Sequence, residues 1–391
     1  MSREDTSEIE LSGAIGSVLD PEIRLPLADL GMLRWVKRRR SRLDVQLTIP
    51  APEHPAQQEL DNRIRQAAHD AGFSGEVNVR TDVMDSSERD ALRNRLKSSD
   101  DNGHGTPSAP STPFNGRSSR TRVIGVSSGK GGVGKSSVTV NLALGLTAIG
   151  KTVSVLDADV YGFSVPKMLG IDHDPMVVVD VMVPPVAYGI ACLSMGLFVE
   201  DAQPLIWRGP MLHKALQQFL TDAFWGEPDF LLIDMPPGTG DIQMGLSRLL
   251  PSAQVMVVTT PHDNSAEVAS RMADMARKGN LALAGLVENM SYFVCEHGSK
   301  HYLFGRGAAR ALAEQTGLEL LASIPLVSHD TDMPATIQER FLSQHADVAA
   351  FRELAEVVTT RVAPPVSMGS CTSRIMALAQ DLERRDKLAN S

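Results

Sequence analysis

Short unbroken apolar runs dominate the chain after residue 120. They lie at 122–127, 152–156, 230–233, 254–259 and 283–287 and predict strands buried on both faces. Stretches with helical spacing fall at 135–149, 211–225, 265–278, 307–316 and 345–362. Apolar strands separated by helices predict an α/β fold, a mainly parallel sheet with helices on both faces. Before residue 98 the pattern differs. A helical stretch at 9–18 precedes the alternation Leu43, Val45, Leu47 and Ile49, which predicts a half-buried strand. A helix at 55–71, a strand at 77–83 and a charged helix at 87–96 complete a small α+β domain. Residues 98–120 are rich in Ser, Gly, Pro and Asn and predict a flexible linker. The expected division is a domain at 1–97, the linker, a larger domain at 121–365, and a helical tail at 366–391.

At 391 residues, two domains are comfortable. The formal charge of −9 opposes phosphate neutralisation, so no nucleic-acid partner is expected. Cys192, Cys295 and Cys371 are too few and too far apart for a disulfide framework, and the first ten residues hold no apolar signal core. Both point to the cytoplasm. Residues 181–199 carry no charge over 19 positions, but Pro184, Pro185, Gly189 and Gly196 break them into loop and strand, not a membrane span. Lys37, Arg38, Arg39 and Arg40 read as a solvated hairpin turn in preference to a phosphate or acidic-partner site.

The sharpest local signal follows the strand at 122–127. Gly129, Gly134, Lys135 and Ser136 fit G-x-x-x-x-G-K-[ST], with a strand before and a helix after. Triphosphate needs many donors in a small space. Glycines 129, 131, 132 and 134 let the backbone curl so that N–H groups converge, and a helix start adds its dipole. Lys135 supplies charge to the β and γ phosphates, and Ser136 offers a hard oxygen to Mg²⁺. Asp234 ends an apolar strand, where a Mg²⁺-sensing acid belongs. Asp157 and Asp159 follow another strand at the same sheet edge. One should orient water and the other support Mg²⁺, and the spacing does not say which. Lys130, which a phosphate loop does not need, could reach a phosphate in another subunit, as arginine fingers do.

Residues 129–136 resemble the deviant phosphate loop of the MinD/ParA class of ATPases. Residues 157–170, 207–211, 234–241 and 288–293 narrow the resemblance to the Mrp/ApbC family of iron–sulfur cluster carriers. Residues 18–32 are similar to the small domain of iron–sulfur assembly factors. The resemblance implies a P-loop NTPase of low turnover, binding ATP and Mg²⁺ and working as a homodimer with apo iron–sulfur proteins and a cluster-assembly scaffold. It implies an ATP site of Gly129, Lys130, Gly131, Gly132, Val133, Gly134, Lys135, Ser136 and Ser137, with Asn289 near adenine. Lys130 acts across the dimer, Asp159 lies near the attacking water with Asp157 beside it, and Ser136, Asp157 and Asp234 serve Mg²⁺. A cluster, four-iron and bridging the dimer, is the implied cargo.

Three positions depart from the family. Its C-x-x-C pair is here Cys295-Glu296-His297-Gly298. Cys295 reads as a cluster ligand completed by His297 or His301, as a Zn²⁺ ligand in C-x-H-x-x-x-H, or as a cysteine left over in a polar hairpin. His54 stands where the small domain usually has cysteine, which removes a thiol-dependent role. Phe163 stands where proline is usual and should change only loop stiffness.

Two other functions compete. A positioning ATPase of the MinD/ParA kind would use the tail. There Ile375, Met376, Leu378, Ala379 and Leu382 make an apolar face with a net charge of only +1 across 373–388, which suits docking better than stable membrane attachment. A kinase or ligase would need an acceptor pocket that no residue identifies.

Overall fold

The computed structural model describes residues 7–39, 41–52, 54–100, 112–114, 119–159, 162–198, 209–236, 241–262, 267–268, 271, 281–295, 297–327 and 346–362. The predicted tail helix, Cys371, Trp207, Gly238, Gly240 and most of the predicted 265–278 helix lie outside them.

The N-terminal part contains α1 (Glu8–Gly16), α2 (Leu27–Leu30), β1 (Leu33–Arg39), β2 (Arg42–Ile49), α3 (Gln57–Asp70), β3 (Glu76–Val83) and α4 (Ser86–Asp100). Helix α1 starts where a capping box permits: Ser7 Oγ accepts the Glu10 N–H at 3.2 Å, and the Glu10 carboxylate accepts the Ser7 N–H at 2.8 Å. Strand β2 lies centrally, antiparallel to β1 and parallel to β3. Leu43, Val45, Leu47 and Ile49 are buried, as their alternation predicts. The basic run is corrected: Lys37, Arg38 and Arg39 belong to β1, not to the turn. Lys37 lies 4.8 Å from the Trp35 ring centroid, and Arg39 pairs with Asp44 across the ladder.

The larger part follows the order β4 (Arg122–Ser128), α5 (Lys135–Ala148), β5 (Val153–Asp157), α6 (Val165–Leu169), β6 (Met176–Val178), β7 (Val181–Val183), β8 (Val186–Ala187), β9 (Ile190–Ser194), α7 (Gly209–Thr221), β10 (Phe230–Asp234), α8 (Asp241–Leu249), β11 (Gln254–Thr259), β12 (Ala282–Glu288), β13 (Phe293–Val294), β14 (Lys300–His301), α9 (Ala308–Thr316), β15 (Leu320–Ser323) and α10 (Ala346–Val357). Eight strands form one sheet in the order β15-β12-β11-β4-β10-β5-β9-β8, parallel except for β8 on β9. Strands β5, β9 and β10 are buried at every residue, because core lies against both faces. On one face α5 packs against α10, so closely that a Cβ on Gly145 would lie 2.9 Å from the Phe351 carbonyl. The other face carries α7, α8 and α9 residues around Trp225. Residues 181–199 carry three short strands and a 3₁₀ turn, Met195–Phe198, among the described positions.

Part of the stretch 98–120 packs, among its described residues. Phe114 is buried with its ring 6.2 Å from Trp225, edge to face, and Thr112 is buried beside it. A single aromatic in a polar run is enough to anchor it, because one ring buries much apolar area.

The two parts share a core. Met176, Val178, Val181 and Val183 of the β6–β7 hairpin, with Phe224, join the hydrophobic cluster of the N-terminal sheet. Glu22 accepts the Val186 N–H at 3.0 Å and lies 3.4 Å from His173. Arg24 donates to the Trp225 carbonyl at 3.0 Å. Arg93 and Lys97 of α4 both pair with Asp180 in the hairpin turn.

Candidate active site

The phosphate loop joins β4 to α5. Gly132 and Gly134 both have φ of +78°, the left-handed conformation that glycine adopts at least cost. Gly134 has a second reason: Asn289 donates to the Val133 carbonyl at 2.9 Å, and a Cβ on Gly134 would lie 2.3 Å from that amide nitrogen. Asn289 therefore braces the loop from the end of β12. Gly131 and Lys130 are exposed, whereas Val133 is buried. Ser137 bonds through its carbonyl to Asn141, one helical turn on.

Strand register assembles the charged groups. In β4, β10 and β5, Val126, Asp234 and Asp157 stand side by side. Helix α5 starts above them, so Lys135 Nζ reaches Asp234 at 2.6 Å and Asp159 at 3.8 Å. Ser136 Oγ donates to the other Asp234 oxygen, and Thr139 Oγ1 donates at 3.1 Å to the one that Lys135 contacts. Lys135 is only 7% exposed, so its charge is held by partners and not by water.

Asp157 and Asp159 separate by environment. Asp157 is fully buried. One of its oxygens accepts the Asp159 N–H at 3.2 Å. The other accepts Ser164 N–H at 3.1 Å, Val165 N–H at 3.2 Å and Ser194 Oγ–H at 3.1 Å. Burial, then the Asp234 carboxylate, push its pKa up to about 6. It organises the entry to α6. Asp159 accepts the Gly162 N–H at 3.2 Å and faces Lys135. Phe163 lies over Gly196, where a Cβ would meet its ring at 2.1 Å. Phe163 thus packs against the 3₁₀ turn, a role beyond stiffness that sequence alone could not show.

The donor set fits a magnesium nucleotide. Ser136 and Asp234 are hard oxygen donors at one point, beside an ammonium and a loop of curled amides. Three supporting residues escape the motif. Thr139 has a readable signal, four residues after Lys135 on the same helix face. Ser194 is found only through the β9–β5 register, which sets it opposite Asp157. Arg271, which donates to the Gly129 carbonyl, has no sequence signal.

The cysteines divide. Cys192 is buried in the core, and burial raises its thiol pKa far above the ordinary value. Cys295 is half-buried, and the neighbouring His301 side chain, then the backbone of His297 and Ser299, lower its pKa. His54 is not exposed like a ligand awaiting metal: it is buried 3.1 Å from Asp20 and accepts the Ala56 N–H. Among the described residues no helix is long and apolar enough to cross a membrane.

Residues 119–361 match the ParA family described as NUBPL iron-transfer P-loop NTPase, and residues 9–79 match the iron–sulfur cluster assembly protein family. The chain is 40% identical to an iron–sulfur cluster carrier protein of Mycobacterium leprae over 337 residues, covering 83% of this chain and 86% of that protein. It is 32% identical to an iron–sulfur cluster carrier protein of Bacillus subtilis over 373 residues, covering 94% and 100%. A solved nucleotide-binding protein from Archaeoglobus fulgidus in complex with ADP is 33% identical, with a TM-score of 0.47, covering 60% of this chain and 87% of that one. The chain belongs to the NUBPL iron-transfer P-loop NTPase family, with an iron–sulfur assembly domain ahead of the NTPase domain.

Proposed function

We propose that this chain is an ATP-hydrolysing carrier that binds iron–sulfur clusters and passes them to apo-proteins. The observation that carries the nucleotide half is the meeting of Lys135, Ser136 and Asp234 beneath a loop with two left-handed glycines. The cargo half rests on the relatives named as cluster carriers and on the match to the iron-transfer family.

In this reading the loop amides of residues 129–137 hold the phosphates, and Lys135 exchanges its carboxylate partners for the β and γ oxygens. Ser136 and Asp234 would hold Mg²⁺, which would supply positive charge to those oxygens. Asp157 stays within the fold and fixes Asp159, and Asp159 orients the attacking water. Asn289 positions the loop beside the base. Lys130 acts on the nucleotide of a second copy in a homodimer. Nucleotide binding orders the segments after Asp157 and Asp234, and hydrolysis releases them. The division proposed for function is an assembly domain at 1–97, a linker at 98–120 into whose start α4 runs as far as Asp100, the ATPase at 121–365 and a tail beyond. The cytoplasm is the compartment that suits a reduced thiol carrier.

Anaerobic reconstitution with iron and sulfide, followed by mixing with an apo four-iron enzyme, tests the reading. Recovery of the enzyme's activity, altered by MgATP, is expected. A chain that keeps no iron and sulfide, or keeps them without transfer, removes the carrier assignment.

A further inference from the structure

A loop that binds anions through its N–H groups must also dispose of its carbonyls. A carbonyl oxygen carries the negative end of the peptide dipole and repels a phosphate that it faces. In this loop the carbonyls are held by donors. The Val133 carbonyl accepts the Asn289 side-chain amide at 2.9 Å, and the Gly134 carbonyl accepts the Val138 N–H at 3.0 Å. Upstream, the Lys130 carbonyl accepts the Ser128 hydroxyl at 2.8 Å. The Gly129 carbonyl accepts the Arg271 guanidinium, which arrives from a distant part of the chain.

The Gly129–Lys130 peptide needs that restraint most. Lys130 stands between Gly129 and Gly131, and glycine gives a chain its widest backbone freedom. Gly131 is exposed, and a Cβ there would meet nothing within 4 Å, so packing does not fix it. The peptide unit is planar, so the direction of the Gly129 carbonyl also sets the Lys130 N–H and the course of the chain into Lys130. Arg271 is itself placed by its neighbours. It pairs with Glu267, four residues earlier on the same helix. Buried Val268 lies 3.4 Å from where a Cβ on Gly129 would stand. Gly129 is thus held twice from this helix, by an apolar contact and by a charge-assisted hydrogen bond.

We propose that Arg271 is a positioning residue for the P-loop reaction: it fixes the Gly129–Lys130 peptide, so that Lys130 leaves the loop in the direction that turnover needs. The charged grip on the phosphates, Lys135 with Ser136 and Asp234, has its own partners further along the loop. Arg271 therefore governs turnover and not nucleotide affinity. The inference rests on the role proposed above for Lys130 and adds the group that aims it.

The test uses the full chain. Arg271→Met keeps an apolar stem and removes the donors. Its phosphate release should slow roughly tenfold to a hundredfold, as misplacing a reacting group does, while MgATP affinity by calorimetry stays at the parent's value. Arg271→Lys keeps one charged donor and should recover part of the rate. Guanidinium ion, far below denaturing concentration, should restore Arg271→Ala. Arg271→Met added to Lys130→Ala should cost nothing further, because the effect runs through Lys130. A second readout needs no turnover. In nucleotide-free protein, trypsin should cut after Lys130 faster in Arg271→Met than in the parent, at an equal thermal midpoint, because a loosened peptide opens locally. Parent-like turnover in Arg271→Met, a further loss on top of Lys130→Ala, or loss of MgATP affinity in place of turnover overturns the proposal. Parent-like turnover in Arg271→Met beside a slow Lys130→Ala leaves the role of Lys130 intact. A parent that hydrolyses no ATP removes the ATPase reading, and the cut after Lys130 then decides by itself whether Arg271 holds the peptide.

Discussion

Asp234 and Asp157 end adjacent strands in register, yet the Lys135 ammonium goes to Asp234 alone of the two, at 2.6 Å. Asp157 receives backbone N–H groups and the Ser194 hydroxyl. That asymmetry separates a group able to serve a cation from one held within the fold. The pKa of Asp157 in the fold, about 6, lies above its ordinary 3.8. Its contribution to stability is therefore full below the ordinary value and lost as pH rises through the folded one. The unfolding free energy of the parent, less that of Asp157→Asn, should fall by at most about 3 kcal/mol across that window and be flat above it. Denaturant titrations at stepped pH measure it. A difference that does not change with pH shows an ordinary carboxyl.

The two lysines of the loop should fail differently. Lys135→Ala removes the partner of a buried carboxylate, so it should lose MgATP binding and about 3 kcal/mol of stability. Lys130 is exposed, and Lys130→Ala should retain MgATP binding and lose turnover. Calorimetry and phosphate release separate the two, and normal turnover in Lys130→Ala would remove the role across the dimer.

Docking of the N-terminal sheet should depend on Asp180 and Glu22 together. Arg93 and Lys97 hold the Asp180 carboxyl well below the usual range, but exposed ion pairs are each worth only about 0.2–1 kcal/mol. Asp180→Lys combined with Glu22→Ala also leaves the Val186 N–H without its acceptor. Hydrogen exchange should quicken in α4 and in the β6–β7 hairpin, while MgATP affinity holds. Unchanged exchange would mean that the apolar contacts of Met176 and Val183 hold the two parts by themselves.

Phe114 offers a simple check on the linker. Phe114→Ala opens a cavity against Trp225 and should cost about 3–5 kcal/mol, the range for buried aromatics. A thermal midpoint equal to the parent's would show that the ring packs nowhere in solution.

The larger fold was legible because its signals are local. Val123, Ile124 and Val126, or Leu231 and Leu232, form unbroken apolar runs that suit only a doubly covered strand. The β6–β7 hairpin was not legible. Val177 and Val179 are more than half exposed there, and its strands are three residues long. Its packing partner lies some eighty residues earlier in the chain, beyond any window of periodicity.

For the site, chain order alone determined the loop, since glycine spacing, Lys135 and Ser136 are neighbours and their backbone conformation follows from residue type. Tertiary structure decided what each carboxylate does. Parallel register set Ser194 and Asp234 around Asp157, and burial with its donors, not its place in the sequence, made it different from Asp159. The same holds at the hairpin, where only the ladder sets His301 opposite Phe293.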